Sequence, residues 1–192
     1  MTEQIINDLP EILKKHICTI KKASLDDTNS TSMSDSLLKV INFDKIPNEY
    51  SRGKKWPYVP ASNDALYIDA DAKWYFIEFK NGSIDKSNLF RKIYDSLIML
   101  IDLNIIPDFK FIRENINYIL VYNSEKHPIA QKSENLHNNY SYIFKLAQTE
   151  EKLFDIDKFE KFLFKETHTY NKELFKSKFV NRMEEQERMV LS

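Results

Sequence analysis

The sequence predicts an α/β protein in which a central mixed β-sheet is flanked by helices. Two apolar runs, residues 65–70 and 74–80, have the length of buried strands and are separated by a short polar break. A long amphipathic helix follows Gly82 and extends to Leu103, and residues 118–122 form a further apolar run. This order of strand, strand, helix and strand is typical of helices that pack on a sheet.

Composition indicates a globular protein and leaves the choice of partner open. Apolar residues at 42% are sufficient for a sizeable core, and 192 residues is the length of one domain. A formal net charge of -1 provides no overall attraction to nucleic acid, so any such contact depends on a local basic patch. Composition alone therefore neither predicts nor excludes DNA binding.

The cysteine content and the longest apolar runs predict a cytoplasmic protein that makes no membrane contact. Cys18 is the single cysteine of the sequence, which rules out an intrachain disulfide and favours a reducing compartment. No apolar run approaches the roughly 18 to 20 residues that span a bilayer, and the N-terminus lacks the pattern of a signal peptide.

Helical spacing and proline positions predict the remaining elements. Prolines at 47, 57 and 60 favour a long loop over residues 44–63. The pattern of residues 159–170 is compatible with a helix turn followed by an edge strand. Helices are predicted over residues 3–22, 34–41, 133–146 and 171–183. The four histidines are scattered without metal-ligand spacing, so His16 is interpreted as a packed or partly exposed side chain.

A basic and aromatic cluster lies in the predicted loop. Arg52, Lys54 and Lys55 stand beside Trp56 and Tyr58. Such a mixture can contact phosphates and stack on bases. The alternative is a solvated connection whose aromatic rings lie on the core.

Charged residues within the second apolar run mark the candidate site. Side chains alternate between faces of a strand, so Glu78 and Lys80 share a face with Trp74 and Phe76. Because both faces of this strand are largely apolar, an ionised group on it requires a partner or a metal ion. A hairpin between the two runs would bring Asp64 alongside Glu78 and Lys80.

Two carboxylates and a lysine at one sheet edge suit a hard divalent cation such as Mg²⁺, which prefers oxygen ligands and commonly bridges to phosphate. The cation would lower the pKa of a bound water, and Lys80 would position that water or stabilise developing negative charge. This is the chemistry of phosphodiester hydrolysis. The alternative is an ion pair between Glu78 and Lys80 at the end of the strand.

Asp64, thirteen intervening residues and then Glu78-Phe79-Lys80, on adjacent strands followed by a helix and another strand, resemble the PD-(D/E)XK nuclease superfamily. The resemblance covers about residues 37–122. It implies one nuclease-like domain over residues 1–192, with a restriction-endonuclease-like core and helical additions at both ends. It also implies a Mg²⁺ or Mn²⁺ site, and cleavage of DNA, or of RNA, as an endonuclease or exonuclease.

By the same resemblance, Asp64 and Glu78 correspond to the metal-binding acids, the Phe79 backbone carbonyl to a further ligand, and Lys80 to the catalytic lysine. Asn63 stands where the family pattern has proline. Asp69 is an alternative first acid, although it lies nearer the turn and on the opposite face from Asp64. The upstream acid that some members use remains open among Asp35, Asp44 and Glu49.

The helix after Gly82 is predicted to pack an apolar stripe on the sheet. The stripe comprises Leu89, Phe90, Ile93, Tyr94, Leu97, Leu100 and Ile101, and the polar side comprises Lys92, Asp95, Ser96 and Asp102. Lys86 and Arg91 lie close to the strand end and are candidates for phosphate contacts. The alternative places Tyr94 in the core and pairs Arg91 with Asp95 across one turn.

Two functions follow as hypotheses. The first is a metal-dependent nuclease acting in restriction, defence or repair, for which a homodimer would allow double-strand cleavage. The second is a catalytically inactive nuclease-like scaffold that binds a protein partner, of the antitoxin or immunity type, since a fold does not fix a function.

Overall fold

The structure is a computed structural model that describes residues 1–26, 30–127 and 150–191. Its described residues form an α/β protein with a six-stranded mixed sheet, in the order β1-β4-β5-β6-β7-β8. The prediction of an α/β protein with a central mixed sheet is therefore confirmed. The helix predicted over residues 133–146 lies outside the described residues.

The sheet combines an antiparallel half with a parallel half. Neighbours from β1 to β6 are antiparallel, while β6, β7 and β8 are parallel to one another. A separate two-stranded sheet pairs β2 with β3. The strands are β1 (Ile17–Thr19), β2 (Leu25–Asp26), β3 (Thr31–Ser32), β4 (Lys39–Asn42), β5 (Ala65–Ile68), β6 (Trp74–Lys80), β7 (Ile116–Tyr122) and β8 (Thr167–Asn171).

Helices cover both faces of the central strands, which explains why β6 is apolar on both sides. On one face Lys92 of α5 reaches Glu78 of β6, and on the other the ring of Phe175 contacts Phe79. The helices are α1 (Glu3–Asp8), α2 (Glu11–Lys14), α3 (Ile20–Ala23), α4 (Ile46–Lys54), α5 (Lys86–Asp102), α6 (Phe109–Asn115) and α7 (Lys172–Leu174), which continues through a π-helix (Phe175–Val180) into α8 (Asn181–Leu191). Buried apolar residues from Met1 to Met183 form one connected cluster.

The hairpin of β5 and β6 has the predicted position. Ala65 pairs with Ile77 and Ile68 pairs with Trp74. Asp69 holds the turn, because its carboxylate accepts hydrogen bonds from the Asp71 and Lys73 amides, both at 2.9 Å. The hydroxyl of Tyr75 donates to the same carboxylate at 3.0 Å. Asp69 therefore serves the turn, at the far end of the hairpin from Asp64.

Three predictions of local structure are wrong. The helix over residues 3–22 is broken into α1, α2 and α3, and β1 lies between the last two. The helix predicted over residues 34–41 is absent, and residues 39–42 form β4, where Val40 and Ile41 are fully buried. The predicted loop contains α4, in which Pro47 occupies the first turn, where its missing N–H is tolerated.

The terminal segments supply strands of the central sheet as well as helices. The N-terminal residues supply the edge strand β1, and β8 forms the opposite edge of the sheet. Residues 157–159 form a 3₁₀ turn before β8, which agrees with the helix turn and following edge strand predicted over residues 159–170.

Within the described residues, no helix has both the length and the apolar character that crossing a bilayer requires.

Replacing Asp69 by alanine should destabilise the protein without affecting cation binding. The change removes three hydrogen bonds and leaves the buried Tyr75 hydroxyl without its acceptor, which should lower the free energy of unfolding by about 2 kcal/mol or more. Chemical unfolding measures the loss, and Mn²⁺ titration checks the site. Loss of Mn²⁺ binding in a folded Asp69→Ala protein would instead identify Asp69 as the first acid.

Candidate functional site

The strand ends bring Asp64, Glu78 and Lys80 together. Asp64 immediately precedes β5, and the hairpin register places it opposite Glu78. Its Oδ2 accepts a 2.6 Å hydrogen bond from the Phe79 amide. Lys80 Nζ lies 2.8 Å from Glu78 Oε1, and the Glu78 side chain is fully buried. Sequence alternation and the hairpin were sufficient to predict this proximity.

Lys92 joins this group and was not predicted to do so. Its Nζ lies 3.0 Å from Asp64 Oδ1 and 2.7 Å from Glu78 Oε1. The sequence pattern places Lys92 on the polar side of the helix, whereas in the structure its side chain projects onto the sheet. A signal was present, because Lys92 lies at helical spacing from Leu89 and Ser96, both of which are buried.

The same face of α5 fixes the chain segment that leads into Asp64. Ser96 is fully buried and its hydroxyl accepts a 2.9 Å hydrogen bond from the Asn63 amide. Asp95 accepts a 2.9 Å bond from the Ala61 amide. Three residues of the predicted polar side, Lys92, Asp95 and Ser96, thus contact the acids or the chain segment that leads into them. Tyr94, by contrast, is 43% exposed. Both the apolar-stripe assignment of Tyr94 and its alternative core placement are therefore wrong.

Of the three upstream acids, Asp44 is the one that the structure brings to the site. Asp44 and Asp64 line one cavity of about 180 Å³, and the Ser62 hydroxyl donates to Asp44 Oδ1 at 3.0 Å. Glu49 instead contacts His16 at 2.8 Å, and Asp35 pairs with Lys21 at 3.2 Å.

A chain of polar side chains borders the cavity at the ends of β6 and β7. Asn123 Nδ2 donates to Asn81 Oδ1 at 2.9 Å, and Asn81 Nδ2 donates to Asp26 Oδ2 at 2.9 Å. These residues tie the small β2–β3 sheet to the strand ends. Their positions directly after buried strands were a usable signal for Asn81 and Asn123, whereas Asp26 depends on tertiary contact alone.

Two buried oxygens at the site have no hydrogen-bond partner among the described residues. Glu78 Oε2 is buried and unpaired among the described residues, while Oε1 receives both lysines. The Tyr118 hydroxyl, whose pKa is raised by burial and by the charges of Glu78 and Asp64, is also buried and unpaired. Buried polar atoms are normally satisfied, so an unpaired carboxylate oxygen indicates a place for a ligand.

Burial and the charge of Asp64 raise the pKa of two acids of the site, Glu78 and Asp44. Burial, with the nearby Asp64 carboxylate, raises the pKa of Glu78 to about 7, against the opposing charges of Lys92 and Lys80. Crowding by protein atoms and the Asp64 charge likewise raise the pKa of Asp44 to about 6, although this residue keeps exposed surface. Burial would lower the pKa of Lys92, but the Asp64 and Glu78 carboxylates raise it above the ordinary range. Lys92 is therefore an ammonium ion.

The carboxylates of Asp64 and Glu78 are ligands of the kind that a hard cation prefers, but the ammonium group of Lys92 contacts both of them. Within the described ranges, no group of three or more His, Cys, Asp or Glu side chains is arranged to hold a metal ion. The ammonium of Lys92 lies between Asp64 and Glu78, where an ion bound by both would have to sit. When all are ionised, three carboxylates face two lysines, so a divalent cation fits the charge once Lys92 withdraws.

The predicted phosphate-contacting residues do not form one patch. Lys54 pairs at 2.6 Å with Asp102, the last residue of α5, whereas Lys86, its first residue, pairs at 2.7 Å with Asp155. A helix of this length spans roughly 25 Å, so these two groups are far apart. Arg91 donates to Asn88 at 3.0 Å, which also excludes its predicted pairing with Asp95.

The rest of the basic cluster lies at the end of α4. Arg52 lines a separate cavity of about 380 Å³ together with His16, Glu49 and Trp56. Lys55 is exposed, with a left-handed backbone that ends the helix. The aromatic neighbours are also exposed, and the alternative that they lie on the core is wrong.

Comparison with known proteins finds no match to the chain among protein-family models, curated proteins or solved structures.

The raised pKa of Glu78 predicts that this residue weakens the fold as the pH rises. Between its ordinary value of 4.5 and about 7, the folded protein keeps a proton that the unfolded chain releases. Because the folded state binds more protons in this window, the Glu78 contribution to the free energy of unfolding falls by about 2 kcal/mol from pH 5 to pH 7.

Chemical unfolding of the parent and of Glu78→Gln in EDTA at these two pH values measures this contribution. Over the same range, the stability of the variant relative to the parent should improve by about 2 kcal/mol. An identical pH dependence in both proteins would contradict the raised pKa.

Proposed function

We propose that the protein is a metal-dependent nuclease of the PD-(D/E)XK type that hydrolyses DNA phosphodiester bonds. The observation that carries this proposal is the convergence of Asp64, Glu78 and Lys80 at the ends of β5 and β6, beside a polar cavity and an unpaired Glu78 oxygen. A buried cluster of charges has a high desolvation cost, and a site for a charged substrate accounts for it better than packing does.

The topology around the site supports a restriction-endonuclease-like core. Three antiparallel strands, β4, β5 and β6, are followed by α5 and then by β7, which lies parallel to β6. From β5 onward, this is the order that the resemblance implies for residues 37–122. The strand β4 stands in place of the predicted short helix. Because no known protein matches the chain, membership of this superfamily is itself part of the proposal.

Asp64, Glu78 and the Phe79 carbonyl would hold Mg²⁺ or Mn²⁺. The Phe79 amide already faces Asp64, and the N–H and C=O of one strand residue point to the same side, so its carbonyl faces Asp64 too. Asp44 adds a third carboxylate to the cavity. When bound, such a cation neutralises phosphate charge and supplies a water of lowered pKa.

Lys80 acts on the substrate phosphate. Its side chain is 19% exposed, whereas that of Glu78 is buried, so its ammonium lies between the buried carboxylate and the surface. From there Lys80 can donate to a phosphate oxygen and stabilise the negative charge that develops during attack by water. Glu78 keeps the ammonium in place through their 2.8 Å contact.

Lys92 serves as the counter-ion of Asp64 and Glu78 and would withdraw when a cation binds. It contacts both acids through single hydrogen bonds, and its side chain remains 17% exposed, so a path toward the surface is open. When no divalent cation is bound, the ammonium group of Lys92 thus offsets the negative charge of the two carboxylates. This arrangement keeps Asp64 and Glu78 close together at a tolerable electrostatic cost.

Replacing Lys92 by methionine should weaken the metal-free protein and strengthen its response to Mg²⁺. Loss of the ammonium leaves two buried carboxylates in repulsion, which should lower the free energy of unfolding by about 3 kcal/mol in EDTA. Mg²⁺ then binds without displacing a resident charge, so it should raise the melting temperature of Lys92→Met more than that of the parent.

The matched control is Lys86→Met, which removes an exposed ammonium from the same helix and should change stability by less than about 1 kcal/mol. Equal stabilisation of the parent and Lys92→Met by Mg²⁺ would contradict the competition. The failure of Mg²⁺ and Mn²⁺ to stabilise any of these proteins would contradict the metal site itself.

Cleavage is tested on single-stranded, duplex and branched DNA and on RNA, each with Mg²⁺ or Mn²⁺. Asp64→Ala and Lys80→Ala should each reduce the cleavage rate at least about 100-fold, because each removes a group that acts on the reacting phosphate. The control is Asp71→Asn, an exposed carboxylate in the hairpin turn, which should retain full activity. Cleavage that survives both site substitutions would reveal a contaminating nuclease.

The second candidate is the inactive scaffold that binds a protein partner, and the bridging Lys92 favours it. An ammonium ion that already contacts both acids lets the cluster persist without a metal. On this hypothesis the parent cleaves none of the substrates, and Mg²⁺ stabilises neither the parent nor Lys92→Met.

A further inference from the structure

A second polar cavity lies on the face of the sheet opposite Glu78. It has a volume of about 170 Å³ and is enclosed between the sheet and the C-terminal helix. Its floor comprises Tyr75, Asn117, Ile119, His168 and Tyr170, which belong to β6, β7 and β8. Because Tyr75 and Glu78 are an odd number of residues apart, their side chains point to opposite faces of β6.

Basic side chains from four different segments converge on this cavity. Lys73 comes from the hairpin turn, Lys165 precedes β8, Lys178 lies in the π-helix and Arg182 lies in α8. The acidic residue of the lining is Glu166, which lies 3.5 Å from His168. In a protein with a net charge of -1, this concentration of positive charge is a local feature.

Most of these cations have no protein partner in the described part of the chain. Lys165, Lys178 and Arg182 form no ion pair with any described residue, and Lys73 is 3.7 Å from Asp71. By contrast, Lys54 and Lys86 are neutralised by Asp102 and Asp155 at 2.6 and 2.7 Å. The cavity therefore holds an excess of positive charge that a bound anion would balance.

Arg182 lines the cavity together with Tyr75 and Tyr170. Burial and the Asp69 carboxylate raise the pKa of Tyr75, burial and the Glu150 and Glu166 carboxylates raise the pKa of Tyr170, and the positive charge of Arg182 opposes both shifts. Arg182 and the lysines around it provide several donors for one anion. Guanidinium and ammonium groups together suit the tetrahedral oxygens of phosphate.

We propose that this cavity binds a phosphate group. Its volume accommodates one phosphate with its immediate substituents, and three unpaired basic side chains supply charge-assisted hydrogen bonds to it. Lys178 lies in a π-helix, a conformation found frequently at functional sites. The phosphate has two possible sources, a small free anion or the backbone of a polynucleotide, and the same side chains would contact either.

This inference does not depend on the proposed nuclease function. The cavity shares no lining residue with the cavity at Asp64, and it lies on the other face of the sheet. Measurements in EDTA keep any divalent cation away from Asp64 and Glu78, so they report on the basic cavity alone. A failure here leaves the cleavage experiment unaffected, and a negative cleavage result does not bear on phosphate binding.

The test is calorimetric titration of the full chain in EDTA at low salt, with inorganic phosphate and, separately, with a short single-stranded oligothymidine. The parent should bind at least one of the two probes. The double variant Lys178→Gln/Arg182→Gln should bind that probe at least about tenfold more weakly, because two charge-assisted contacts are lost. Lys176→Gln is the matched control, an exposed lysine of the same π-helix that does not line the cavity.

Comparison of the two probes identifies the source of the phosphate. Binding of inorganic phosphate that is lost in the double variant and retained in Lys176→Gln supports a small-anion site. Tighter binding of the oligonucleotide, with the same dependence on the variants and a steep loss with added salt, supports a polynucleotide backbone. The proposal is overturned if the parent binds neither probe, or if the folded double variant binds as the parent does.

Discussion

The contact of Lys92 with both Asp64 and Glu78 is the interaction on which the rest of the site depends. Two carboxylates placed on adjacent strand ends repel each other, and the one on β6 is fully removed from water. Without a cation between them this register of the hairpin would be strongly disfavoured. Lys92 supplies that cation at 3.0 and 2.7 Å, and it also anchors α5 to the sheet.

Further contacts hold α5 against the hairpin of β5 and β6. Ser96 and Asp95, one turn beyond Lys92, bond the backbone of the segment that enters β5. The opposite face of β6 is packed by Phe175 and Phe179 from the C-terminal helix. The charged cluster is thus enclosed by apolar layers, and a narrow polar cavity at Asp44 and Asp64 connects it to the surface. A site of this kind strengthens every electrostatic interaction within it.

The sequence predicts the hairpin and its acids because strand alternation and register are local properties. Asp64, Glu78 and Lys80 lie within seventeen residues of one another, and their proximity follows from one hairpin. The segment 34–41 was assigned to a helix because the short strand β4 shows no alternation in its apolar stretch, and the pairing of β4 with β1 and β5 decides its conformation. The N-terminal edge strand was missed for the same reason.

Other parts of the site depend on tertiary contact and had weaker signals. Lys92 lies on the buried side of α5 because the carboxylates it meets are there, whereas hydropathy alone assigns a lysine to the solvent side. Asp44 was one of three open choices, and its contact with Ser62 distinguishes it from Asp35 and Glu49. Asp26 reaches the cavity from a separate small sheet, which no local pattern connects to the central one.

The most direct test of the account is a crystal structure of the protein soaked with Mn²⁺, recorded with anomalous scattering. The account predicts an anomalous peak about 2.1 Å from oxygens of Asp64 and Glu78, with Lys92 Nζ withdrawn from both carboxylates. A crystal in which Lys92 still bridges Asp64 and Glu78, with no peak between them at saturating Mn²⁺, would contradict it.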